Sequence, residues 1–344
     1  MQEIEKKKLR VAVIGCGRIS VMHFASIKML GEQLVGCCDI KIERAKEASE
    51  RFGGAVYTDY IKMLDELKPD AVHLCLPHYL HSKVAIDAFL RGVAVLTEKP
   101  MDISYEAAEK AVEVAKECGV LFGVIFQCRY NNSAQLVKRA VESGRLGKIL
   151  SARSILTWCR SNDYYDDSDW KGTWDKEGGG VVIDQAIHSI DLVNWIVDSD
   201  IRRMNATLSK RSEKVCVVED SAEGYIEYEN GVTYGFYCMN NYACDEPIEI
   251  KLVCENGKVT FGYDDAYIVY NDGSTEEAHQ DLQAEYDGGL EYWGVQHVRQ
   301  IRQFYAALRG EEPLEISGEV ALKTHKLICE IYRIGIHGMN IENK

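Results

Sequence analysis

The sequence predicts an α/β fold: a doubly wound parallel sheet over residues 1–126, then an α+β domain on a mostly antiparallel open sheet over residues 127–344. Three observations carry this expectation. From Leu9 to about Phe126, short continuous apolar runs alternate with amphipathic stretches, the pattern of parallel strands covered on both faces. A glycine-rich turn follows the first run. After residue 148 the rhythm becomes β-rich, with Asn-Gly pairs between alternating segments, a hairpin signal.

The strand candidates of the first part are RVAVIG, LVGCCD, AVHLCLP, VAVLTEKP and VLFGVIF, with helices predicted near 19–30, 41–52, 59–67, 80–91 and 104–118. In the second part ILSARSILTW reads as a strand and 184–197 as a helix. IEYENGVTYGFY and IEIKLVCENGKVTFGY read as hairpins, and two helices are predicted over 291–309 and 318–335.

Composition sets outer bounds. The 344 residues are 46% hydrophobic and 27% charged, as in soluble globular proteins. A net charge of -14 and a pI near 5.2 argue against a nucleic-acid partner, which requires a basic surface. Lys6-Lys7-Lys8-Leu9-Arg10 is too short a basic cluster to change that. No apolar run approaches the roughly 18–20 residues of a membrane span and no signal-type apolar segment opens the chain, so a cytoplasmic location without membrane partners is expected. The twelve cysteines form no CxxC pair, so neither a structural zinc site nor any other metal is expected.

VAVIGCGRISVMHF places Gly15, Gly17 and Ser20, with Arg18 and Ile19 between them, directly after a strand and at the start of a helix. The first glycine permits the tight turn and the second lets backbone approach a pyrophosphate, while the helix N-terminus faces the negative charge. Asp39 follows 19 residues after Ser20, where a carboxylate bonds a ribose 2′-hydroxyl and repels a 2′-phosphate. NAD is therefore favoured over NADP. In CLPHYLH, Leu76, Pro77 and His81 stand beyond another strand's carboxyl end, where open parallel sheets bind ligands. Lys99 in TEKP occupies such an end as well, beside Glu98; its ammonium suits a developing oxyanion.

GGGVVIDQAIHSID, residues 178–191, carries Asp184, His188 and Asp191 at helical spacing. The residues alone admit a metal pair, a core histidine or a catalytic pair. The preceding loop, RSNDYYDDSDWKGTWDKE, mixes Tyr164, Tyr165, Trp170 and Trp174 with carboxylates, a chemistry that suits a polyol ring and equally a packing loop.

Taken together, GCGRIS with His23, CLPHYLH, TEKP, IFQCRY, GGGVVIDQAIHSIDL and the closing helices resemble the Gfo/Idh/MocA oxidoreductases, in family order and over nearly the whole chain. The resemblance implies an N-terminal Rossmann domain and a C-terminal domain whose open sheet shapes the substrate site and supports a homodimer or homotetramer. It implies a catalytic set of Lys99, Asp184 and His188, with His188 as general base. Glu98, Gln127 and Trp170 then fall near the cofactor, and Arg129, Tyr164, Tyr165 and Trp174 near the substrate. Asp191 could hold the imidazole's other nitrogen. The expected activity is NAD-dependent oxidation of a secondary hydroxyl of a sugar, glycoside or inositol, ring carbon 3 being the narrower expectation. The alternatives are NAD-dependent glycoside cleavage through transient oxidation and a non-catalytic NAD-binding regulator.

Overall fold

The computed structural model describes residues 7–166, 168–212, 216–279 and 296–336. Each apolar run of the first part forms a strand: β1 (Arg10–Ile14), β2 (Gln33–Cys38), β4 (Ala71–Leu74), β5 (Ala94–Thr97) and β6 (Phe122–Val124), with the three-residue edge strand β3 (Ala55–Tyr57) added outside those runs. The sheet order is β3-β2-β1-β4-β5-β6 and every pairing is parallel. The order reverses between β1 and β4, the switch point outside which such sheets bind ligands. Val11, Val13, Val72, Leu74 and Val95 are wholly buried, which is why these strands read as continuous apolar runs.

The connecting helices are α1 (Ser20–Met29), α2 (Ile42–Phe52), α3 (Tyr60–Leu67), α4 (His81–Phe89) and α5 (Tyr105–Cys118). Their ends follow local chemistry. The Asp59 carboxylate accepts from the N–H groups of Ile61 and Lys62 at the start of α3, and Ser104 accepts from Ala107 N–H at the start of α5. Gly119 closes α5 in the left-handed conformation.

A single boundary at 126/127 does not describe the chain. It divides into one unit of Met1–Gln127 with Gln283–Leu322 and another of Cys128–Leu282 with Lys323–Lys344. The reason is packing. The helix His297–Leu308 places Ile301, Phe304 and Tyr305 in the same core as Val11, Val13, Phe24, Ile27 and Leu96. Each such burial is worth about 1.5–3 kcal/mol, enough to return this segment to the first sheet. Residues 291–295 of the predicted helix lie outside the described residues.

In the second unit α6 (Asn132–Glu142) precedes β7 (Ile149–Thr157), and the short α7 (Asn162–Asp166) follows. The predicted helix over 184–197 starts earlier than expected: a π-turn over Val182–Ala186 runs into α8 (Ile187–Val197). Such turns are rare and frequent at functional sites. Strands β8 (Ile201–Ser209), β9 (Ser221–Tyr228), β10 (Thr233–Met239), β11 (Glu249–Cys254), β12 (Gly257–Phe261), β13 (Asp265–Tyr270) and β14 (Thr275–His279) complete the sheet β14-β13-β12-β11-β7-β10-β9-β8. Only β10 and β7 pair in parallel among these strands. Both Asn-Gly hairpins form. In the first, Gly231 takes a φ of 88° and the Asn230 side chain accepts from Val232 N–H. In the second, Cys254 pairs with Gly257, leaving Glu255-Asn256 as the two-residue loop. The last helix covers Gly318–Gly335. Among the described residues no helix is long and apolar enough to cross a membrane.

Candidate active site

The turn after β1 has the shape expected of a dinucleotide cradle. Gly15 has a φ of 91°, and a Cβ there would stand 2.2 Å from the Cys75 carbonyl oxygen, so no other residue fits. A Cβ on Gly17 would meet nothing within 4 Å, which leaves its backbone open to a ligand. Ser20 begins α1, and its hydroxyl donates to Gly17 O at 2.6 Å, tightening the turn; Arg18 is exposed and Ile19 half-buried. Asp39 ties this turn to the end of β2. Its Oδ2 accepts from Cys16 N–H at 2.9 Å and its Oδ1 from Lys41 N–H at 2.8 Å. A carboxylate has further lone pairs, so both ribose hydroxyls remain within its capacity. At the other end of this unit, Gln127 is buried and its Oε1 has no hydrogen-bond partner among the described residues. A glycine cradle, a carboxylate after β2 and an orphaned buried amide oxygen fit a nicotinamide dinucleotide.

Beyond β5, Glu98 is buried and gripped by two imidazoles. His23 Nε2 and His297 Nε2 both lie 3.0 Å from its Oε1, and its Oε2 accepts from Lys99 N–H at 3.3 Å. Burial alone would raise the carboxyl pKa; the hydrogen bonds it accepts from the two imidazoles outweigh it and hold Glu98 well below the usual carboxylate range. Burial lowers the His23 and His73 pKa values, so these rings are neutral N–H donors. One proton arrangement then satisfies the chain. Tyr305 O–H donates to His73 Nε2 (3.1 Å), His73 Nδ1–H to His23 Nδ1 (3.0 Å), and His23 Nε2–H to Glu98. His23, Glu98 and His297 are also the one trio of cation-ligating side chains among the described residues. Their contacts are already satisfied as hydrogen bonds.

Lys99 is half-buried, and the Lys99–Pro100 peptide is cis. Leu76 and Pro77 are half-buried beside the Gly15 turn, with a Leu76 methyl 3.3 Å from where a Gly15 Cβ would be. His81, expected at the cofactor, is placed between two backbone carbonyls. Its Nδ1 lies 2.6 Å from Pro100 O and its Nε2 2.8 Å from Leu76 O, so both nitrogens are engaged in bracing the two loops. Burial lowers its pKa, and a neutral ring donates to one carbonyl at a time.

In the second unit, Asp184 and His188 stand one turn apart, His188 buried at the start of α8 and Asp184 half-buried in the π-turn. The Asp184 Oδ2 accepts from Tyr164 O–H and from the Gln185 amide, both at 2.5 Å. Asn240 supports this pair, donating to Gln185 Oε1 at 3.1 Å and to Tyr165 O–H at 3.0 Å. The Lys171 ammonium lies 3.5 Å over the Tyr164 ring, and Trp170 beside it is half-exposed.

Several expected site residues have partners within the second unit. Tyr165, expected near the substrate, is buried in a small core with Cys216 and Val218. Trp174 donates to Val217 O at 3.1 Å and stands edge-on to Tyr332. Arg129, expected against substrate, is buried and forms a two-pronged ion pair with Asp191, Nε to Oδ2 at 2.8 Å and Nη2 to Oδ1 at 2.6 Å. Thr324 donates to the same Oδ1 at 2.7 Å. Asp191 is thus spent on the guanidinium and a hydroxyl, and holds no nitrogen of His188. Sequence reasoning missed His73, His297, Tyr305, Gln185, Asn240 and Glu219. A polar residue inside an apolar run, as His73 is in AVHLCLP, was the one available signal.

A sequence profile described as "Oxidoreductase family, NAD-binding Rossmann fold" matches residues 9–126, and one for the GFO/IDH/MocA C-terminal domain matches residues 134–260. The chain belongs to the Gfo/Idh/MocA family. D-glucoside 3-dehydrogenase of Escherichia coli K12 is 31% identical over 65% of this chain and 68% of its own. Myo-inositol 2-dehydrogenase of Thermotoga maritima is 23% identical over 90% and 91%. Among solved structures, the WlbA dehydrogenase of Bordetella pertussis, in complex with NADH and UDP-GlcNAcA, superposes with a TM-score of 0.84 at 28% identity over 96% of this chain and 98% of that one. Like its Gfo/Idh/MocA relatives, this protein is an NAD-dependent oxidoreductase of the sugar and inositol dehydrogenase type.

Proposed function

We propose that the protein oxidises a secondary hydroxyl of a sugar, glycoside or inositol, with ring carbon 3 the preferred position. NAD supplies the hydride acceptor. The neutral His188 imidazole takes the hydroxyl proton as the C–O bond becomes a carbonyl. Asp184 orients the substrate and balances the charge gained by the ring, and the Lys99 ammonium stabilises the oxygen while it carries negative charge. One observation carries this reading: the Asp184 carboxylate, one turn from buried His188, is fixed by Tyr164 and Gln185. Such preorganisation is what proton transfer and charge stabilisation require.

The test is NADH formation over a panel of inositols, hexoses, uronates and glycosides, with the oxidised carbon then located by NMR. Lys99→Ala and His188→Ala are each expected to lose about 100-fold or more in kcat while still binding NAD. Full activity in either variant refutes the assignment. A second reading, that the substrate is a nucleotide-linked sugar acid, is favoured by two WlbA structures at 27–28% identity that contain NADH and UDP-GlcNAcA. A UDP-linked uronate added to the panel decides between the two. The proposed assembly, a homodimer or homotetramer, is read by sedimentation of the purified chain.

A further inference from the structure

The helix that carries Asp184 and His188 begins in the interior of the second unit, where its first N–H groups have no solvent. An α-helix leaves four such groups without intrahelical partners. Here two side chains and one carbonyl serve all four. Gly180 N–H donates to Glu219 Oε2 at 2.8 Å, Val181 N–H to the Glu219 carbonyl at 3.4 Å, and Val182 N–H to Glu219 Oε1 at 3.1 Å. Ile183 N–H donates to the Tyr332 hydroxyl at 3.1 Å, which itself donates to Glu219 Oε1 at 2.7 Å. The first backbone bond of the helix, Asp184 N–H to Gly180 O at 3.0 Å, follows directly.

The glycines before the helix exist for this cap. A Cβ on Gly180 would stand 1.9 Å from Glu219 O, and one on Gly179 would stand 2.1 Å from the Tyr332 hydroxyl. Glu219 lies 35 residues beyond Asp184 in sequence and is wholly buried. A carboxylate at this end of a helix also meets the positive end of its dipole.

We propose that Glu219, aided by Tyr332, is the positioning residue for Asp184 and His188, fixing the start of their helix and so the place of both groups. The inference rests on the proposed roles of those two residues. Three titratable groups face Glu219: Tyr332 from the last helix, Cys238 from β10, and Glu177 from the loop before the glycines. Burial raises all three. Burial also pushes Glu219 up to about 7, against the hydrogen bonds it accepts. Ionised Glu219 can accept from all of its donors. Protonated, it points an O–H at one of them, so the cap loosens as pH falls through about 7.

The test compares wild type with Glu219→Gln and Tyr332→Phe by steady-state kinetics on the best substrate of the panel, and by hydrogen–deuterium exchange of peptides covering 180–192. Glu219→Gln turns an accepting oxygen into an NH2 that confronts N–H groups. We expect kcat to fall by up to about 100-fold. KM for NAD stays within about twofold, and the acid limb of the kcat–pH profile becomes shallower, because the deprotonation of Glu219 is gone and that of the His188 base remains. Exchange should rise in 180–192 alone. Tyr332→Phe keeps the carboxylate and should show a smaller loss of the same kind; it decides the matter if Glu219→Gln does not fold. Unchanged exchange in 180–192, faster exchange throughout the chain, or a wild-type kcat and pH profile overturns the proposal. Absence of turnover in the wild type would refute the proposed activity instead, while exchange still reads the cap.

Discussion

Replacing Asp191 by Asn separates two meanings of one residue. In the structure Arg129 is 5% exposed and Asp191 1% exposed, with two hydrogen bonds between them and a third from Thr324. Asn keeps the shape but leaves a buried positive charge facing an amide. Breaking a buried pair from one side costs about 3–5 kcal/mol. At about 2–4 °C per kcal/mol for a unit of this size, Asp191→Asn should melt roughly 6–20 °C lower. Thermal unfolding followed by circular dichroism reads the loss. The double variant Arg129→Met/Asp191→Leu should recover most of it, because apolar replacements of a buried pair are often neutral or stabilising. Below its melting range, Asp191→Asn should keep the wild-type kcat and pH profile. Had Asp191 oriented the imidazole, kcat would fall about 10⁴-fold with stability unchanged, as for a triad aspartate. That outcome, or a melting point within about 1 °C of wild type, refutes the structural assignment.

Two further predictions concern the first unit. His297→Leu removes one of the two imidazole donors to Glu98 and should cost about 1.5–3 kcal/mol at neutral pH. Glu98 titrates below its ordinary 4.5, so its contribution is complete above that value and is lost as pH falls through the lower folded-state pKa. The gap between variant and wild type should therefore narrow below about pH 4.5 in acid-unfolding curves, and a gap independent of pH would count against the clamp. Asp39→Ala removes both the ribose acceptor and the tie to Cys16 N–H. KM for NAD should rise about 10–100-fold with kcat little changed, and NADP should become comparatively better, as kinetics with both cofactors will show.

Much of the fold was legible because its signals are local. Val11-Ala12-Val13-Ile14 is buried on both faces, so the strand reads as an unbroken apolar run, and Gly15 follows where only glycine fits. Asp184 and His188 could be singled out because helical spacing brings them one turn apart. The three-residue β3 was too short to stand out, and its residues are half-buried or exposed. The buried partners of Arg129 and Tyr165 were not legible, because a polar or aromatic side chain beside a motif looks the same whether it faces substrate or a buried partner.

By itself, the sequence determined the parallel sheet, the dinucleotide turn with Asp39, the β-rich second part and the candidates Lys99, Asp184 and His188. These depend on periodicity and on neighbours a few residues apart. Only the tertiary structure decided that His297–Leu308 returns to the first sheet and that His23 and His297 hold Glu98. It also decided that Asp191 serves Arg129 and that Glu219 caps the helix of Asp184. The hydrogen bonds among these join groups 39 to 199 residues apart, as between Gly180 and Glu219 and between Glu98 and His297. A buried polar atom must find a partner, and the chain's path through space, which periodicity does not encode, selects which one it finds.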